Sequence, residues 1–522
     1  MDSGTLQTLV AMSCYMASVI VIGVAFARRA NQSTENYFLG GRSLGPWIAA
    51  MSAEASDMSG WLLMGLPGVA YWSGVADAAW TAIGLGLGTY INWLVVARRL
   101  RCYSVVAGDA ITIPEFFSAR FKEKKKVLLA ISAIFILIFF TVYASSCFVT
   151  CGKLFSTLFD MPYRSMMIVG ALFVITYTII GGFLAESASD FMQSIVMIVA
   201  LAVVLITGTA AAGGPAAVAA NAAKIPGFAS FFGMATPVLK DGVQQTANGA
   251  AVFGPAGSYG LLTILSTLSW GLGYFGMPQV LLRFMAIRKT SELKKSRRIA
   301  TSWCLISLTS AVLIGLIGRT LYPTALGTAA AAENIFIVLS TNLLPPLLAG
   351  LVMAGILAAT ISSSDSYLLI AASAFAKNIY QGILKKDASD KKVLWLSRFM
   401  LLAISAVGVV IALDENSVIF TLVAFAWAGF GATFGPIMLL SLFWKRTTWR
   451  GAVAGMVAGG VTVFLWRIFI KPLGGLLGIY ELLPAFLVSL LCIVVFSLTD
   501  KGPGAEIEAE FDRAKQMVAD ES

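Results

Sequence analysis

A polar stretch at residues 52–68 lies inside an apolar segment that is long enough to cross a lipid bilayer. It contains two carboxylates, Glu54 and Asp57, together with three serines and three glycines. Hydrocarbon cannot hydrogen-bond backbone groups, so irregular polar backbone at membrane depth persists only where it is buried in protein or lines a cavity. Carbonyls freed at a helix break are good ligands for a hard cation such as Na+. The stretch therefore predicts either a cation site or a helix kinked at Gly and Pro whose polar groups are satisfied.

The apolar segments along the chain predict a protein that crosses the membrane many times. Only 12% of the 522 residues are charged, against roughly 25% in a typical soluble protein. Runs of about 18 or more apolar residues mark membrane crossings. Thirteen such runs are present, at 9–26, 44–71, 78–97, 127–158, 163–180, 191–208, 260–286, 299–321, 347–379, 393–413, 417–443, 451–469 and 479–498. We therefore expect an all-α polytopic membrane protein with 13 transmembrane helices, forming a single transmembrane domain over residues 1–498 with a short cytoplasmic tail at 499–522.

Lysine and arginine are distributed unevenly over the predicted loops. The odd number of crossings puts the termini on opposite sides, and 30 of the 37 basic residues fall in one set of loops. By the positive-inside rule that set is cytoplasmic, so we expect the amino terminus outside and the carboxyl terminus inside. The net charge of +10 is then a topology signal, and no nucleic-acid partner is needed to explain it. We expect no cleavable signal peptide, because residues 1–7 contain an acid and no base, and one long external loop at 209–258.

Several kinds of catalytic chemistry are excluded by composition. Histidine is absent, which removes the commonest metal ligand and the commonest proton relay at neutral pH. The six cysteines form no CxxC pair. Nucleophile–histidine arrangements and the HExxH zinc motif are impossible without histidine. We therefore expect a protein that is not an enzyme and has no organic cofactor.

A second predicted span is interrupted at residues 269–278, which read SWGLGYFGMP. Its three glycines and its proline would unwind a helix near mid-membrane. Trp270 and Tyr274, four residues apart, offer apolar faces and polar tips to a small solute; the alternative is a glycine packing seam between helices. Counted from span 44–71, this span is the sixth. Interrupted helices five spans apart are expected of two inverted five-helix repeats, here 44–208 and 260–443.

The eighth span on the same count carries hydroxyls at helical spacing. Ala359, Ser362 and Ser363 lie at i, i+3 and i+4, so one helix face offers a carbonyl and two hydroxyls. Such a weak, neutral oxygen set suits reversible Na+ binding and supplies no titratable group for proton coupling. The alternative is that these serines bond back to the preceding turn of their own helix. Charged residues at this depth, among them Asp365 and Asp190, are functional hypotheses by default; we assign Glu186, an equally good interfacial cap, no role.

Seven motifs resemble those of the sodium/solute symporter family, and within it they agree best with the members that carry L-proline. They are GGRSLGP (40–46), ASDMSGWLLMGLPG (55–68), INW (91–93), GGFLA (181–185), WGLGYFG (270–276) with Pro278, RFMA (283–286) and AWAGFG (426–431). The similarity extends over residues 10–498. It implies a ten-helix core at about 44–443, with one extra helix before it and two after, in a bacterial inner membrane. It also implies Na+-coupled uptake of L-proline by alternating access.

The resemblance also implies roles for individual residues. Na+ would be bound by the backbone carbonyls of Ala55, Met58 and Ala359 and by the hydroxyls of Ser362 and Ser363. Asp57, Ser59 and Arg42 are similar to residues required for Na+ affinity or for transport. L-Proline would lie against Tyr143, Trp270, Tyr274 and Pro278. Asp365 and Ser366, with Asp190 opposite, are similar to residues of relatives that bind a second Na+, so one or two ions per cycle are both compatible with the sequence.

The sequence departs from the family pattern at a few positions. Glu54 replaces the usual small residue one step from the ion site, Ser363 stands where the proline carriers have Thr, and loop 209–258 is longer. The main alternative is therefore the same fold and Na+ coupling with another small carboxylate-bearing solute, such as a different amino acid or pantothenate. A membrane sensor is a more remote alternative, since some relatives fuse this domain to a kinase; the tail after Leu498 is too short for one. Lipid is an expected partner, and the oligomeric state is not predicted.

Overall fold

The polypeptide is almost entirely helical in a computed structural model that describes residues 3–30 and 32–521. Its α-helices in these ranges are α1 Ser3–Ala30, α2 Thr34–Leu39, α3 Pro46–Asp57, α4 Leu66–Ser73, α5 Val75–Ile91, α6 Ala97–Val106, α7 Ile113–Arg120, α8 Val127–Phe159, α9 Tyr163–Ala211, α10 Pro215–Lys224, α11 Leu261–Leu268, α12 Pro278–Ala286, α13 Leu293–Leu321, α14 Ala329–Ala332, α15 Ile335–Leu343, α16 Pro346–Ser373, α17 Asp390–Ile411, α18 Ile419–Phe443, α19 Trp449–Leu465, α20 Leu482–Thr499 and α21 Ala505–Asp520. Four wider, π-helical segments extend or join them, at Trp61–Gly65, Asn92–Val96, Ala374–Leu384 and Trp466–Ile470.

Ten helical spans among the described residues are long and apolar enough to cross a membrane. They are Ser3–Ala25, Val75–Val106, Val127–Phe159, Gly182–Ala211, Thr290–Leu321, Pro346–Leu384, Asp390–Ile411, Ile419–Phe443, Trp449–Leu473 and Leu482–Thr499. The other three predicted crossings consist of shorter pieces: α3 with α4, the first half of α9, and α11 with α12. A mostly helical polytopic fold is thereby confirmed, with the short strands that the structure describes confined to the loop at 209–258, whereas the total of thirteen and the inverted-repeat layout remain predictions.

Both interruptions lie where the sequence predicted them. Helix α3 ends at Asp57, where Met58 leaves the helical region with φ −85° and ψ 73°, and helical structure resumes as the π-helical turn Trp61–Gly65. In the second, α11 gives way to the 3₁₀ segment Ser269–Phe275, and α12 starts at Pro278, a residue suited to the first turn of a helix. Gly276 is required here for close approach, because a Cβ would stand 2.3 Å from the Phe430 carbonyl oxygen.

Helix α9 combines two of the predicted spans. The sequence predicted a connection between spans 163–180 and 191–208, but the structure joins them directly, with a single non-helical residue, Gly182 (φ 64°, ψ 177°). A glycine adopts this conformation at little cost because it has no Cβ. The polar residues that suggested a loop, from Glu186 to Asp190, are instead buried on the second half of the helix.

Side-chain contacts gather the predicted loops into two groups. In the group rich in basic residues, Arg42 donates to the Ala110 carbonyl oxygen (2.9 Å), and Arg99 donates to the Leu442 carbonyl oxygen (2.8 Å). We call this end of the molecule the basic face. At the other end, the opposite face, Tyr71 donates to the Tyr322 carbonyl oxygen (2.7 Å). This grouping agrees with the predicted topology; which face is cytoplasmic stays a prediction.

The long loop expected at residues 209–258 is folded against the opposite face. It contains the end of α9, helix α10 and three antiparallel pairs of two-residue strands: β1 Gly233–Met234 with β6 Gly257–Ser258, β2 Leu239–Lys240 with β3 Val243–Gln244, and β4 Thr246–Ala247 with β5 Ala250–Ala251. Arg319 of α13 anchors it, donating from Nη2 to Gln244 Oε1 (2.8 Å) while its guanidinium stacks over Phe253.

The carboxyl-terminal helix α21 docks on the basic face. It contains most of the predicted tail at 499–522. Its buried Glu510 pairs with Lys122 (2.5 Å), its Asp512 pairs with Lys445 (2.7 Å), and Phe511 packs edge-on against Tyr103.

We expect Glu510→Gln to increase hydrogen exchange throughout α21, because it removes the paired charge while keeping the size of the side chain. The exposed Asp520→Asn is the control, and equal exchange in both variants would contradict a stabilising role for the pair.

Candidate ion and solute site

Oxygen atoms from α3 and α16 converge at the first interruption. The Ser362 hydroxyl lies 2.8 Å from the carbonyl oxygen of Ala55 and 3.2 Å from that of Ala359, and the Ser363 hydroxyl lies 3.2 Å from the Ala55 carbonyl oxygen. All of these residues are buried. Four of the five oxygens predicted to bind Na+ therefore form one neutral cluster between two helices. The fifth would come from Met58, which is also buried, in the interruption itself.

The neighbouring serine shows the alternative that the sequence left open. Ser364 donates to the Thr360 carbonyl oxygen (2.6 Å) in the preceding turn of its own helix. Ser362 and Ser363 both reach the Ala55 carbonyl, more than 300 positions away in the sequence, although Ser362 also lies within reach of the Ala359 carbonyl of its own helix. Hydroxyls that cross to a broken helix can also present their lone pairs to a cation. Two of the three serines thus face the predicted site and one does not.

Asp57 lies between the neutral oxygen cluster, called the ion cluster below, and two tyrosines, Tyr274 of the second interruption and Tyr143 of α8. Its Oδ2 accepts a hydrogen bond from the Tyr274 hydroxyl (2.7 Å), and its backbone carbonyl lies 3.4 Å from the Tyr143 hydroxyl. Its other carboxylate oxygen, Oδ1, and the hydroxyl of Ser59 are buried without a hydrogen-bond partner. Buried polar groups without partners are unusual in folded proteins. Their position beside a neutral oxygen cluster fits a site that a cation completes.

The predicted solute residues are only partly brought together. Trp270 stacks on Trp61 with ring centroids 6.2 Å apart, and its carbonyl oxygen accepts from Trp427 Nε1 (2.8 Å). With Tyr143 and Tyr274 it forms an aromatic environment around the two interruptions. Pro278 lies elsewhere, beside Phe38 and Ile113 toward the basic face.

Arg42 lies on the basic face rather than at the ion cluster. Besides its bond to Ala110 it donates to the Met285 carbonyl oxygen (2.8 Å) and pairs with Asp109 (2.9 Å). It therefore connects the segment before α3 to the loop after α6 and to the end of α12. Any role of Arg42 in transport would act through these connections.

The residues predicted to bind a second Na+ surround an arginine. From Nη2, Arg283 of α12 donates to Asp190 Oδ2 (3.1 Å), to the Ser366 hydroxyl (3.0 Å) and to Glu186, and from Nε it donates to the Ser52 hydroxyl (3.0 Å). Asp365 accepts from the backbone N–H of Ser366 (2.7 Å) through Oδ1. The outer oxygens Asp190 Oδ1 and Asp365 Oδ2 have no hydrogen-bond partner. The guanidinium of Arg283 thus contacts two of the residues predicted to bind a second Na+, Asp190 and Ser366. Two carboxylate oxygens of the predicted set are left without a hydrogen-bond partner.

Sequence reasoning missed Arg283 and Glu186 as parts of this cluster. Glu186 was given no role, yet it is buried and pairs with Arg283. Arg283 was counted among the basic loop residues, although its side chain has no exposed surface. A signal existed for Arg283, which is a charge inside predicted span 260–286, since buried charges are ordinarily paired. None existed for Glu186, which falls between predicted spans 163–180 and 191–208.

Glu54 is buried in α3, and its Oε2 has no hydrogen-bond partner. Three sequence positions separate it from Asp57, so the two carboxylates belong to the same helical turn before the interruption. The side chain of Trp93, in the π-helical segment Asn92–Val96, is a polar neighbour of this carboxylate.

Comparison with known proteins settles the class of this molecule. A model of the sodium:solute symporter family matches residues 37–459. The chain belongs to this family. Two sodium/proline symporters of Staphylococcus aureus, from strains USA300 / TCH1516 and NCTC 8325 / PS 47, are each 40% identical over 518 residues, or 98% of this chain and 96% of the relative.

Two solved transporters share the fold of this symporter. One, described as a substrate-bound, outward-open state of a Na+-coupled sialic acid symporter, has a TM-score of 0.74 at 18% identity and covers 95% of this chain and 98% of its own. The other, a nucleobase-cation-symport-1 family transporter in a closed conformation, has a TM-score of 0.53 at 11% identity, covering 93% and 100%. The protein is a multi-pass, sodium-coupled solute symporter and not an enzyme.

Proposed function

We propose that this symporter couples the inward flow of Na+ to the uptake of L-proline by alternating access. The observation that supports it best is the position of Asp57 between two groups of residues. Its carboxylate and its backbone carbonyl contact the hydroxyls of Tyr274 and Tyr143. Ala55, two residues earlier, supplies a carbonyl to the oxygen cluster. An ion that orders this interruption would also order the aromatic surface against which a small solute rests. The 40% identity to sodium/proline symporters supports L-proline as that solute.

In this proposal external Na+ binds first. The carbonyls of Ala55, Met58 and Ala359 and the hydroxyls of Ser362 and Ser363 replace its hydration shell. The carboxylate of Asp57 lowers the energy of the cation without having to touch it. Proline then binds against Tyr143, Trp270 and Tyr274, with its charged groups near the free backbone groups of the two interruptions. A membrane potential supplies about 2.3 kcal/mol per charge per 100 mV to this cycle.

A second Na+ is the further candidate. Asp190, Asp365 and Glu186 carry three carboxylates against one guanidinium, and the unpartnered oxygens Asp190 Oδ1 and Asp365 Oδ2 adjoin the Arg283 cluster. A monovalent cation there would reduce the buried negative charge. Two coupled ions would give a Hill coefficient for Na+ above one, and Asp365→Asn would bring it to one.

Uptake into proteoliposomes tests the proposed function directly. Purified protein should accumulate radiolabelled L-proline under an inward Na+ gradient and fail to do so under an H+ gradient alone. A panel of unlabelled amino acids and pantothenate separates proline from the alternative solutes, because the true substrate should compete at the lowest concentration. Uptake that does not depend on Na+, or uptake of another solute in place of L-proline, would contradict the proposed function.

We place the protein in a bacterial inner membrane with the opposite face outside and the basic face in the cytoplasm. The carboxyl terminus, held on the basic face by α21, would then be inside and the amino terminus outside. Single cysteines placed on each face and labelled with a membrane-impermeant reagent in whole cells test this orientation.

Ser362→Ala combined with Ser363→Ala should raise the Na+ concentration for half-maximal uptake by about tenfold or more, because two of five ion ligands are lost. The matched control is Ser364→Ala, which removes a hydroxyl of the same helix that bonds only within that helix. Initial rates measured across a Na+ titration distinguish the two variants. An equal Na+ requirement in the double variant and the control would remove the ion-site assignment.

A further inference from the structure

A polar cavity of about 460 Å³ opens at the basic face and is not part of the site described above. It is bounded by the loop after α6, by α7, and by the π-helical segment Ala374–Leu384 that extends α16. Its charged and amide-bearing lining residues are Glu35, Asp109, Glu115, Lys126, Lys377 and Asn378. π-Helical turns are rare and occur frequently at functional sites.

The cavity lies on the way from the aromatic site to the basic face. Between the two is an apolar cluster in which Pro278, Phe38, Ile113 and Leu282 leave a space of only about 10 Å³. That space is too small for a solute, because a single water needs about 10–15 Å³. Thr112 lies at the edge of this cluster, and its hydroxyl accepts a hydrogen bond from Asn378 Nδ2 (3.0 Å). We call this apolar cluster the seal. The hydrogen bond between Thr112 and Asn378 connects the start of α7 to the extension of α16, and both elements also line the cavity.

The charges of the cavity are arranged as an opposite pair across these same elements. Glu115 belongs to α7 and Lys377 to the extension of α16. Burial raises the pKa of Glu115, and the nearby Lys377 opposes that rise. Asp109 is already paired with Arg42, and Lys126 donates to the Ser118 hydroxyl (3.3 Å). Glu115 accepts from the Ile111 backbone N–H through Oε2 (3.1 Å), and Glu35 is exposed. The second carboxylate oxygen of Glu115 and the Lys377 ammonium then give the cavity one group of each sign for a ligand that carries both charges.

We propose that this cavity is a release-side binding site for a small zwitterion, in which Lys377 pairs with the carboxylate and Glu115 with the amino or imino group. The proposal rests on the proposed function, since it makes the transported solute the ligand. A zwitterion held there would bridge α7 and the extension of α16. It would hold the seal closed, so solute that has accumulated inside would slow further uptake.

The test is inhibition of uptake from the release side. Initial rates of Na+-driven uptake of labelled L-proline are measured in proteoliposomes whose Na+-free lumen contains increasing unlabelled L-proline. Each rate is normalised to that of the same variant with an empty lumen. We expect saturable inhibition in the unaltered protein and a half-inhibiting luminal concentration about tenfold higher in Lys377→Gln, the loss expected for one charge-assisted hydrogen bond.

Glu115→Gln is the second variant and should shift inhibition in the same direction. Lys386→Gln, an exposed lysine beyond the extension of α16, is the matched control and should leave inhibition unchanged. Inhibition that is absent from the unaltered protein, or equal in both variants and the control, would overturn the proposal. A failure of the proposed function itself looks different: the unaltered protein would take up no proline even with an empty lumen.

Discussion

Asp57→Asn should raise the Na+ concentration for half-maximal uptake by about tenfold or more. The substitution keeps the shape that accepts the Tyr274 hydroxyl (2.7 Å) but removes a negative charge from the fully buried interruption beside the Ala55 carbonyl. At an effective dielectric constant of about 20, a unit charge roughly 8 Å from a cation changes its binding by about 2 kcal/mol, or some 30-fold. Initial uptake rates over a Na+ titration at saturating proline measure the shift.

Ser56→Ala is the control for this prediction. Ser56 neighbours Asp57 and is equally buried, but its hydroxyl bonds back to the Ala53 carbonyl oxygen (3.1 Å) within α3. Its removal should leave the Na+ requirement within about twofold. If Asp57→Asn lowered the maximal rate and left the Na+ requirement unchanged, Asp57 would act on a later step and its electrostatic role at the ion site would be wrong.

Arg283→Gln should have the largest effect on stability. The guanidinium is the positive partner of Glu186 and Asp190 in a cluster that has almost no exposed surface. Removing one partner of a buried ion pair costs about 3–5 kcal/mol, because the remaining charge stays buried without compensation. The variant should therefore show a much lower melting temperature in detergent and a lower yield of monodisperse protein.

A compensated variant separates charge from packing. Arg283→Met combined with Glu186→Gln and Asp190→Asn removes the charge of Arg283 together with those of its two salt-bridge partners. The melting temperature of this variant should lie well above that of Arg283→Gln. We expect the compensated protein to fold without normal transport, since the cluster joins α3, α9, α12 and α16. A single variant as stable as the unaltered protein would show that the cluster is not closed by Arg283.

The two interruptions and the ion cluster follow from local features of the sequence. Glycines, prolines and polar residues within an apolar run favour a helix break, so the interruptions at 58–60 and 269–277 could be predicted from the local sequence. They do not force one, because α18 stays helical through Gly435 and Pro436. The spacing of Ala359, Ser362 and Ser363 puts three oxygens on one helix face by the geometry of the α-helix alone. The loops could be assigned to two sides of the membrane because the number of lysines and arginines in each loop is read directly from the sequence and does not depend on packing.

Only the tertiary structure decided which polar residues meet. Arg283 pairs with Glu186 and Asp190 from positions more than 90 residues away, Pro278 lies beside Phe38 and Ile113, and Arg42 connects loops on the basic face. Such pairings depend on how helices rotate and cross, which their individual hydrophobic patterns do not specify. Helix α16 is buried from Val352 to Ser373 and contains hydroxyl side chains at several positions, so its sequence pattern does not show which neighbour each residue contacts. Its partners are set by the packing of the whole bundle.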